Sequence, residues 1–202
     1  MDNKSASLHT DIDTVLNNYD YDFVNVEITA LGNGHINNTY KLTTPEFEFV
    51  LQQINHDVFP KTVELSSNTQ KINSYLLQQK NAGSYPLAVP QQILTKSGET
   101  CSKVGANYWR LMEFISNSYT LEAVESPEQA ALVASAFAEF SCALSGFPAQ
   151  ELTVIIEDFH DISFRMRQLN EAIENDLQGR LSSCKALVNF CLAQQDFINH
   201  VT

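Results

Sequence analysis

The sequence has few basic residues and no long hydrophobic run. Its 202 residues include 12 Lys and Arg against 24 Asp and Glu, which gives a formal net charge of -12. Nucleic acids and anionic membrane surfaces are themselves negatively charged, so this balance argues against either as a partner. No stretch approaches the eighteen apolar residues of a membrane span, and residues 1–5 lack the basic-then-apolar order of a secretory signal. We therefore expect a cytoplasmic protein.

Cysteine spacing excludes another group of functions. The four cysteines are Cys101, Cys142, Cys184 and Cys191, and no two of them form a C-x-x-C pair. This pattern favours structural thiols in a reducing compartment over a metal site or a disulfide framework. The hydrophobic content of 44% is enough for one good core or two small ones.

A glycine-containing stretch from Ala30 to Tyr40 is the most informative part of the chain. Before it, Val24, Val26 and Ile28 alternate with polar residues, and a second alternating run follows it. This pattern predicts a β-hairpin with Gly32 and Gly34 at its tip. Backbone N–H groups of such a turn can approach phosphate oxygens, although an ordinary hairpin turn has the same pattern.

The remaining periodicity divides the chain into a sheet part and a helical part. Besides the hairpin, we predict helices over residues 4–19 and 61–80 and strands over 47–54, 87–95 and 107–115, with a shorter piece near 100–104. Beyond Ser116 the pattern is helical, with a capping box at Ser126 and helices over 126–146, 162–177 and 187–201. Strands first and helices afterwards indicate an α+β protein.

Three stretches in this order resemble the aminoglycoside phosphotransferase and choline kinase superfamily. They run from Gly32 to Tyr40, from Phe49 to Pro60 and from Tyr108 to Ile115. Within that superfamily the sequence is most similar to the N-acetylhexosamine 1-kinases. The resemblance implies a protein-kinase-like fold: an antiparallel five-stranded N-lobe with one crossing helix in residues 1–115, a linker over 116–125 and the start of a truncated helical C-lobe over 126–202.

The resemblance also implies a function and a set of nucleotide-binding residues. The complete enzyme would use ATP and Mg²⁺ to phosphorylate a hydroxyl group of a small molecule, most closely an amino sugar. A hinge strand would pair with adenine through its backbone, and the glycine loop would cover the phosphates. The implied nucleotide-binding residues are Gly32, Asn33, Gly34, His35, Ile36, Asn37, Thr39, Gln52, Met112, Glu113 and Ile115.

The sequence departs from the family pattern on the third strand. Related kinases carry a cation there that pairs with the ATP phosphates and with a helix glutamate. In this chain the position falls on Gln52, a neutral amide, so Glu64 on the next helix lacks its usual partner. Whether Gln53 or Lys71 replaces that cation stays open.

The catalytic segment of the family has no counterpart here. Family members use an H-x-D loop with a downstream Asn and a later Asp to orient the hydroxyl and to hold the metal. The pair His160-Asp161 has the wrong spacing, and His9-Thr10-Asp11 precedes the glycine loop. We therefore assign no catalytic or metal residue and expect this chain, which stops at Thr202, to be inactive alone.

Two interpretations stay open at this point. The chain is either the nucleotide-binding part of a sugar kinase or a non-catalytic module that binds a nucleotide or a protein partner. A truncated helical lobe would expose apolar side chains of residues 126–202, so we expect self-association or swapped pairing through these helices. The acceptor, the oligomeric state and the nature of the chain end do not follow from the sequence.

Overall fold

The computed structural model describes residues 11–32, 34–119, 121 and 123–201, and its elements appear in the predicted order. Helix α1 covers residues 11–16. Then follow β1 (Glu27–Ala30), β2 (Asn38–Thr43), β3 (Glu48–Ile54), α2 (Thr62–Asn81), β4 (Gln92–Ile93), β5 (Ser102–Val104) and β6 (Asn107–Glu113). The helical part contains α3 (Pro127–Ala143), a 3-10 turn (Ala149–Glu151), α4 (Ile162–Asn175), α5 (Leu181–Leu192) and α6 (Gln195–Val201). The α+β prediction is confirmed.

The strands form one antiparallel sheet in the order β1-β2-β3-β6-β4, with β5 paired to β6. The described part of the chain therefore has six strands, one more than the five predicted, and the extra strand is the short piece near 100–104. In contrast, the strand predicted over 87–95 shrinks to Gln92–Ile93. Pro86 and Pro90 precede it, and proline has no N–H to donate to a ladder.

One face of the sheet is buried against the N-terminal segment. Ile12, Val15, Leu16 and Tyr19 from that segment pack on Leu42, Phe49, Leu51, Trp109 and Leu111. The strand residues in this cluster share one face because side chains alternate along a strand. Trp109 and Leu111 have no exposed surface at all. This cluster is the hydrophobic core of the sheet.

The opposite face of the same strands is polar and half-buried. Thr39 of β2 pairs with Gln52 of β3, and Gln52 pairs with Arg110 of β6, so the three residues form a row across the sheet. Helix α2 contacts this row through Thr69, whose Oγ1 accepts from Arg110 Nη1 at 2.9 Å. The alternation of the strands therefore separates a core from a polar face that is free for other roles.

The chain divides into two compact units, residues up to Ile155 and residues from Ile156 onward. Several contacts attach residues 147–153 to α2 in the first unit. Asn68 and Thr153 exchange two hydrogen bonds, at 2.8 and 3.1 Å, and the Phe147 ring lies 5.2 Å from that of Tyr75. Helix α3 thus groups with the sheet, and the compact division falls later in the chain than the lobe boundary that we predict at 116–125.

Helix α3 begins with the predicted capping box. The Gln129 N–H donates to Ser126 Oγ at 3.2 Å, and the Gln129 side chain accepts from the Glu125 N–H at 2.8 Å. The first bond satisfies an N–H group that the first turn of a helix leaves without a partner, and the second attaches the residue before the cap to the helix. No residue of α3 is buried, and Phe137 is 69% exposed.

The second unit consists of three helices. Asp161 caps α4 by accepting from the Phe164 N–H at 2.8 Å. The single last helix predicted from Leu187 to Val201 is in fact two, α5 and α6, with a break after Leu192. Among the helices that the structure describes, none is long and apolar enough to cross a lipid bilayer.

Candidate functional site

The glycine turn joins β1 and β2 as a hairpin. The Leu31 N–H donates to the Thr39 carbonyl oxygen at 2.9 Å and closes the turn. Gly32 has φ +74, a left-handed conformation that glycine adopts without steric cost. The side chains of His35 and Ile36 are exposed, and Asn33 lies outside the described residues. The β1–β2 pairing and this closing bond form the predicted hairpin.

Two polar side chains of this turn have partners on β3 or just after it. Asn37 Oδ1 accepts from the Asn55 N–H at 2.9 Å, which fastens the turn to the end of β3. Thr39 Oγ1 accepts from Gln52 Nε2 at 3.1 Å. Asn37 therefore has a structural contact, whereas Thr39 belongs to the polar row and keeps its hydroxyl hydrogen as a donor.

Gln52 lies at the centre of the polar row. Its Oε1 accepts two hydrogen bonds from Arg110, from Nε at 3.0 Å and from Nη2 at 2.7 Å. Together with the Thr69 contact, these bonds fix the guanidinium between β3 and α2. Burial lowers the pKa of Arg110 from its usual value, because desolvation disfavours the charged form. An arginine guanidinium stays protonated in proteins, so Arg110 is a cation near neutral pH.

The structure resolves which residue stands beside Gln52 as a cation. Gln53 lies on the core side of β3 and accepts from Asn38 Nδ2 at 2.8 Å. Lys71 is exposed and its Nζ donates to the Glu151 carbonyl oxygen at 2.6 Å. Neither forms a hydrogen bond with Gln52, whereas Arg110 does. Glu64 is exposed in the first turn of α2 and forms no ion pair within the described part of the chain.

The predicted hinge lies at the other end of β6. Met112 pairs with Val50 on the same face as Gln52, and the Glu113 N–H donates to the Gln91 carbonyl oxygen at 2.8 Å. Among residues that the structure describes, none accepts a hydrogen bond from the Ile115 N–H. This strand end therefore offers the free donor that a hinge requires.

A charged pair borders the hinge. Lys41 Nζ lies 2.5 Å from Glu48 Oε1 and 4.0 Å from the centre of the Phe114 ring. Ser116 Oγ also donates to Glu48 Oε2 at 3.0 Å. The hydrogen bonds from Lys41 and Ser116 lower the pKa of the Glu48 carboxyl. These contacts hold residues 114–116 against β2 and β3.

The two ends of the face are separated by a distance that follows from strand register. Glu113 pairs with Phe49, and Thr39 pairs with Gln52, three residues further along β3. At 3.4 Å per residue these two levels are about 10 Å apart along the direction of β3. Two surface depressions lie near these strand ends, one lined by Phe47, Phe49 and Phe114 and the other by Asn38, Gln53 and Asn55. Thr39, Gln52 and Arg110 of the polar row line neither of them.

Metal binding has less support than nucleotide binding. In the described ranges no group of three or more His, Cys, Asp and Glu side chains is placed to hold a metal ion. Magnesium requires oxygen ligands, of which carboxylates are the usual protein source. The described residues do not fit the Mg²⁺ expected from the resemblance, so no step through a metal is derived.

Sequence reasoning missed Arg110. The signal was present, because Arg110 lies between Trp109 and Leu111 in a strand whose odd-numbered positions read as core. A charged residue there must occupy the opposite face, and it is two positions from the hinge residue Met112. The strand register that places Arg110 beside Gln52 could not be read from the sequence.

Comparison with known proteins gives a weak structural similarity. No protein-family model matches the chain. An aminoglycoside phosphotransferase from Alicyclobacillus acidocaldarius is 15% identical, with a TM-score of 0.49 over 91% of this chain and 48% of that one. A spectinomycin phosphotransferase, solved with ADP and spectinomycin, is 12% identical, with a TM-score of 0.42 over 90% of this chain and 55% of that one. The chain spans about half the length of these structures, and similarities this low do not establish its function.

Proposed function

We propose that the polar sheet face of the first unit binds ATP, and that the chain is the nucleotide-binding part of a kinase that phosphorylates a hydroxyl group of a small molecule. The observation that supports this most is the arrangement of one face. A glycine turn lies at one end, a strand end whose Ile115 N–H has no acceptor among the described residues lies at the other, and a guanidinium lies between them.

Each end of the face suits a different part of the nucleotide. The Ile115 N–H can donate to a ring nitrogen of adenine, and the backbone carbonyl of Glu113 is the expected acceptor for the adenine amine. The turn from Gly32 to Thr39 can place backbone N–H groups near phosphate oxygens, as in other phosphate-binding loops. A base and its phosphates would then extend along β3 from Val50 toward Ile54.

The acceptor that we propose is an amino sugar, on the strength of the sequence resemblance alone. ATP would supply the phosphoryl group, and the residues of this face would bind and orient it. The chain has no H-x-D loop with a downstream Asn, and we assign no residue to deprotonate the acceptor. We therefore propose that the 202-residue chain binds ATP weakly and forms no sugar phosphate by itself.

Titration calorimetry with matched hinge variants tests the binding site. Ile115→Pro removes the N–H proposed to contact adenine, and Ile115→Ala keeps it. Loss of one hydrogen bond of roughly 1 kcal/mol predicts about fivefold weaker adenosine binding for the proline variant only. Equal affinity of the two variants, both folded, would exclude the hinge as the base-binding edge.

A non-catalytic module is the second candidate, and the exposed apolar helices favour it. Phe137 of α3 and Leu187 and Phe190 of α5 are each about two-thirds exposed, at 69%, 70% and 67%. Such surfaces are typical of sites that contact another protein. The coding sequence after Thr202 separates the two candidates, since an in-frame H-x-D-x-x-x-x-N segment favours the kinase and a stop codon favours the module.

A further inference from the structure

We propose that Arg110 is the phosphate-binding cation of the polar face, in place of the one that the third strand lacks. The inference deepens the proposed nucleotide site and rests on it. Gln52 is neutral and cannot offset the charge of a polyphosphate, so a nucleotide on this face needs a cation from elsewhere. Arg110, on the neighbouring strand and in direct register with Gln52, meets that need.

The hydrogen bonds of Arg110 leave part of its guanidinium available. Nε and Nη2 donate to Gln52 Oε1, and Nη1 donates to Thr69 Oγ1. An arginine side chain has five N–H donors in a planar fork, so two remain without an acceptor among the described residues. Planar pairs of N–H groups match the oxygen spacing of phosphate.

Among the described residues, no acidic side chain forms an ion pair with Arg110. In the part of the chain that the structure describes, ion pairs join Lys41 to Glu48 and His56 to Asp57, and none involves Arg110. Its hydrogen-bonding partners, Gln52 and Thr69, are both neutral. A half-buried cation held only by neutral oxygens in a chain of net charge -12 is costly unless an anion complements it.

The position of Arg110 along the face agrees with a phosphate role. Its register partner Gln52 contacts Thr39, which follows the glycine turn, so the guanidinium lies two hydrogen bonds from that turn. Met112, the residue before the proposed adenine-binding edge, is two positions away on the same strand and face. Arg110 therefore lies between the base end and the turn end of the face.

The test compares ligands with and without phosphate in matched variants. Calorimetric titrations at low ionic strength would use adenosine, ATP and inorganic tripolyphosphate. Arg110→Gln removes the charge, and Lys185→Gln makes the same change in net charge at an exposed position of α5. Because hydrogen bonds from a charged donor are strong, we expect Arg110→Gln to weaken ATP and tripolyphosphate binding about 10- to 100-fold. Adenosine binding to this variant and all binding to Lys185→Gln should be unchanged.

A second variant keeps Arg110 in the protein and therefore tests the inference even if Arg110→Gln does not fold. Gln52→Glu replaces the amide oxygen that accepts from Arg110 with a carboxylate. The carboxylate should form an ion pair with the guanidinium, so the positive charge is neutralised while the arginine stays in place. We expect this variant to unfold at the same or a higher urea concentration than the wild type and to lose affinity for tripolyphosphate. Unchanged tripolyphosphate affinity in folded Gln52→Glu or Arg110→Gln would show that Arg110 is only structural and would overturn the inference.

The ligand series also separates this inference from the proposed function. Adenosine binding with no gain from phosphates would overturn the role of Arg110 and leave the adenine site intact. Tripolyphosphate binding that requires Arg110, without any adenosine binding, would support the role of Arg110 and contradict the nucleotide site. Wild-type protein that binds neither ATP nor tripolyphosphate would overturn the inference.

Discussion

The sheet unit and the helical unit bury their large apolar side chains to very different extents. In the first unit Trp109 and Leu111 are completely buried, together with Tyr19. In the second unit Leu187 and Phe190 are each about two-thirds exposed. Two apolar side chains, Met166 and Ile198, are buried within the described residues from 156 onward.

This difference indicates which part of the chain can position a binding site without help. A site needs side chains whose own conformations are fixed by packing, and the sheet supplies them from a complete core. Gln52 and Arg110 are held because their strands are fixed from the opposite face. The helices of the second unit keep their backbone hydrogen bonds but bury few apolar side chains among the described residues, so packing fixes their positions less firmly.

The largest effect should come from the same substitution made in the two units. Leu111→Ala removes a fully buried side chain and should lower the free energy of unfolding by about 2–5 kcal/mol. Leu187→Ala, at a side chain that is 70% exposed, should change it by less than about 0.5 kcal/mol. Urea titrations followed by circular dichroism and by fluorescence of the sole tryptophan, Trp109, measure both. Equal losses of unfolding free energy in the two variants would show that the two units do not differ in packing.

Self-association should depend on the exposed helical faces and not on the sheet. A second copy of the chain can cover the apolar surfaces of α3 and α5, and we expect oligomers at high protein concentration. The double substitution Phe137→Gln and Phe190→Gln should reduce the mass measured by light scattering while leaving the unfolding of the sheet unchanged. A monomeric mass for the wild-type chain at all concentrations would contradict this expectation.

A smaller effect should come from the cap of α3. Ser126→Ala removes the hydroxyl that accepts from the Gln129 N–H and should cost about 1 kcal/mol. Ser126→Asp keeps an acceptor and serves as the control, with stability close to that of the wild type. Thermal melts followed by circular dichroism compare the two. Equal loss in both variants would mean that the hydrogen bond is not what stabilises the start of α3.

The smallest effect should be the pH dependence of the Lys41 and Glu48 pair. Because its hydrogen bonds from Lys41 and Ser116 lower the pKa of Glu48 from 4.5, the folded state binds this proton less readily than the unfolded state. The stabilisation is therefore present above pH 4.5 and is lost as the pH falls through the lower folded value. Glu48→Gln should reduce stability slightly at neutral pH, and this difference should shrink as the pH falls below 4.5. If the stability difference between the wild type and Glu48→Gln grew as the pH fell, the predicted direction of the pH dependence would be wrong.

Most elements of the fold could be predicted because their signals are local. Hairpin alternation, the capping box at Ser126 and the left-handed Gly83 that follows α2 each act within a few residues. Pro86 and Pro90 likewise indicate that a strand within 87–95 is short or lies at an edge, as Gln92–Ile93 does. The break between α5 and α6 could not be read as easily. Residues from Leu187 to Val201 keep helical spacing across the break, so periodicity alone joins them.

The hairpin and the strand that border the candidate site could be predicted from the sequence, and the partners of Arg110 could not. The glycine turn and the strand end at Glu113 are sequence features, and both appear where expected in the sheet. The role of Arg110 depends on pairing between residues 58 positions apart, which local patterns do not encode. Gln53 and Lys71 were the alternatives from sequence, and their hydrogen bonds go elsewhere.

Amide hydrogen exchange with and without ATP tests the central claim most directly, because it reports on both units in one experiment. We predict slower exchange over residues 31–39 and 113–115 when ATP is bound, and no change from residue 156 onward. Tripolyphosphate should slow exchange over 31–39 and leave 113–115 unchanged. Absence of protection in the first unit at millimolar ATP, or protection confined to the helices of the second unit, would contradict the assignment of the sheet face as a nucleotide site.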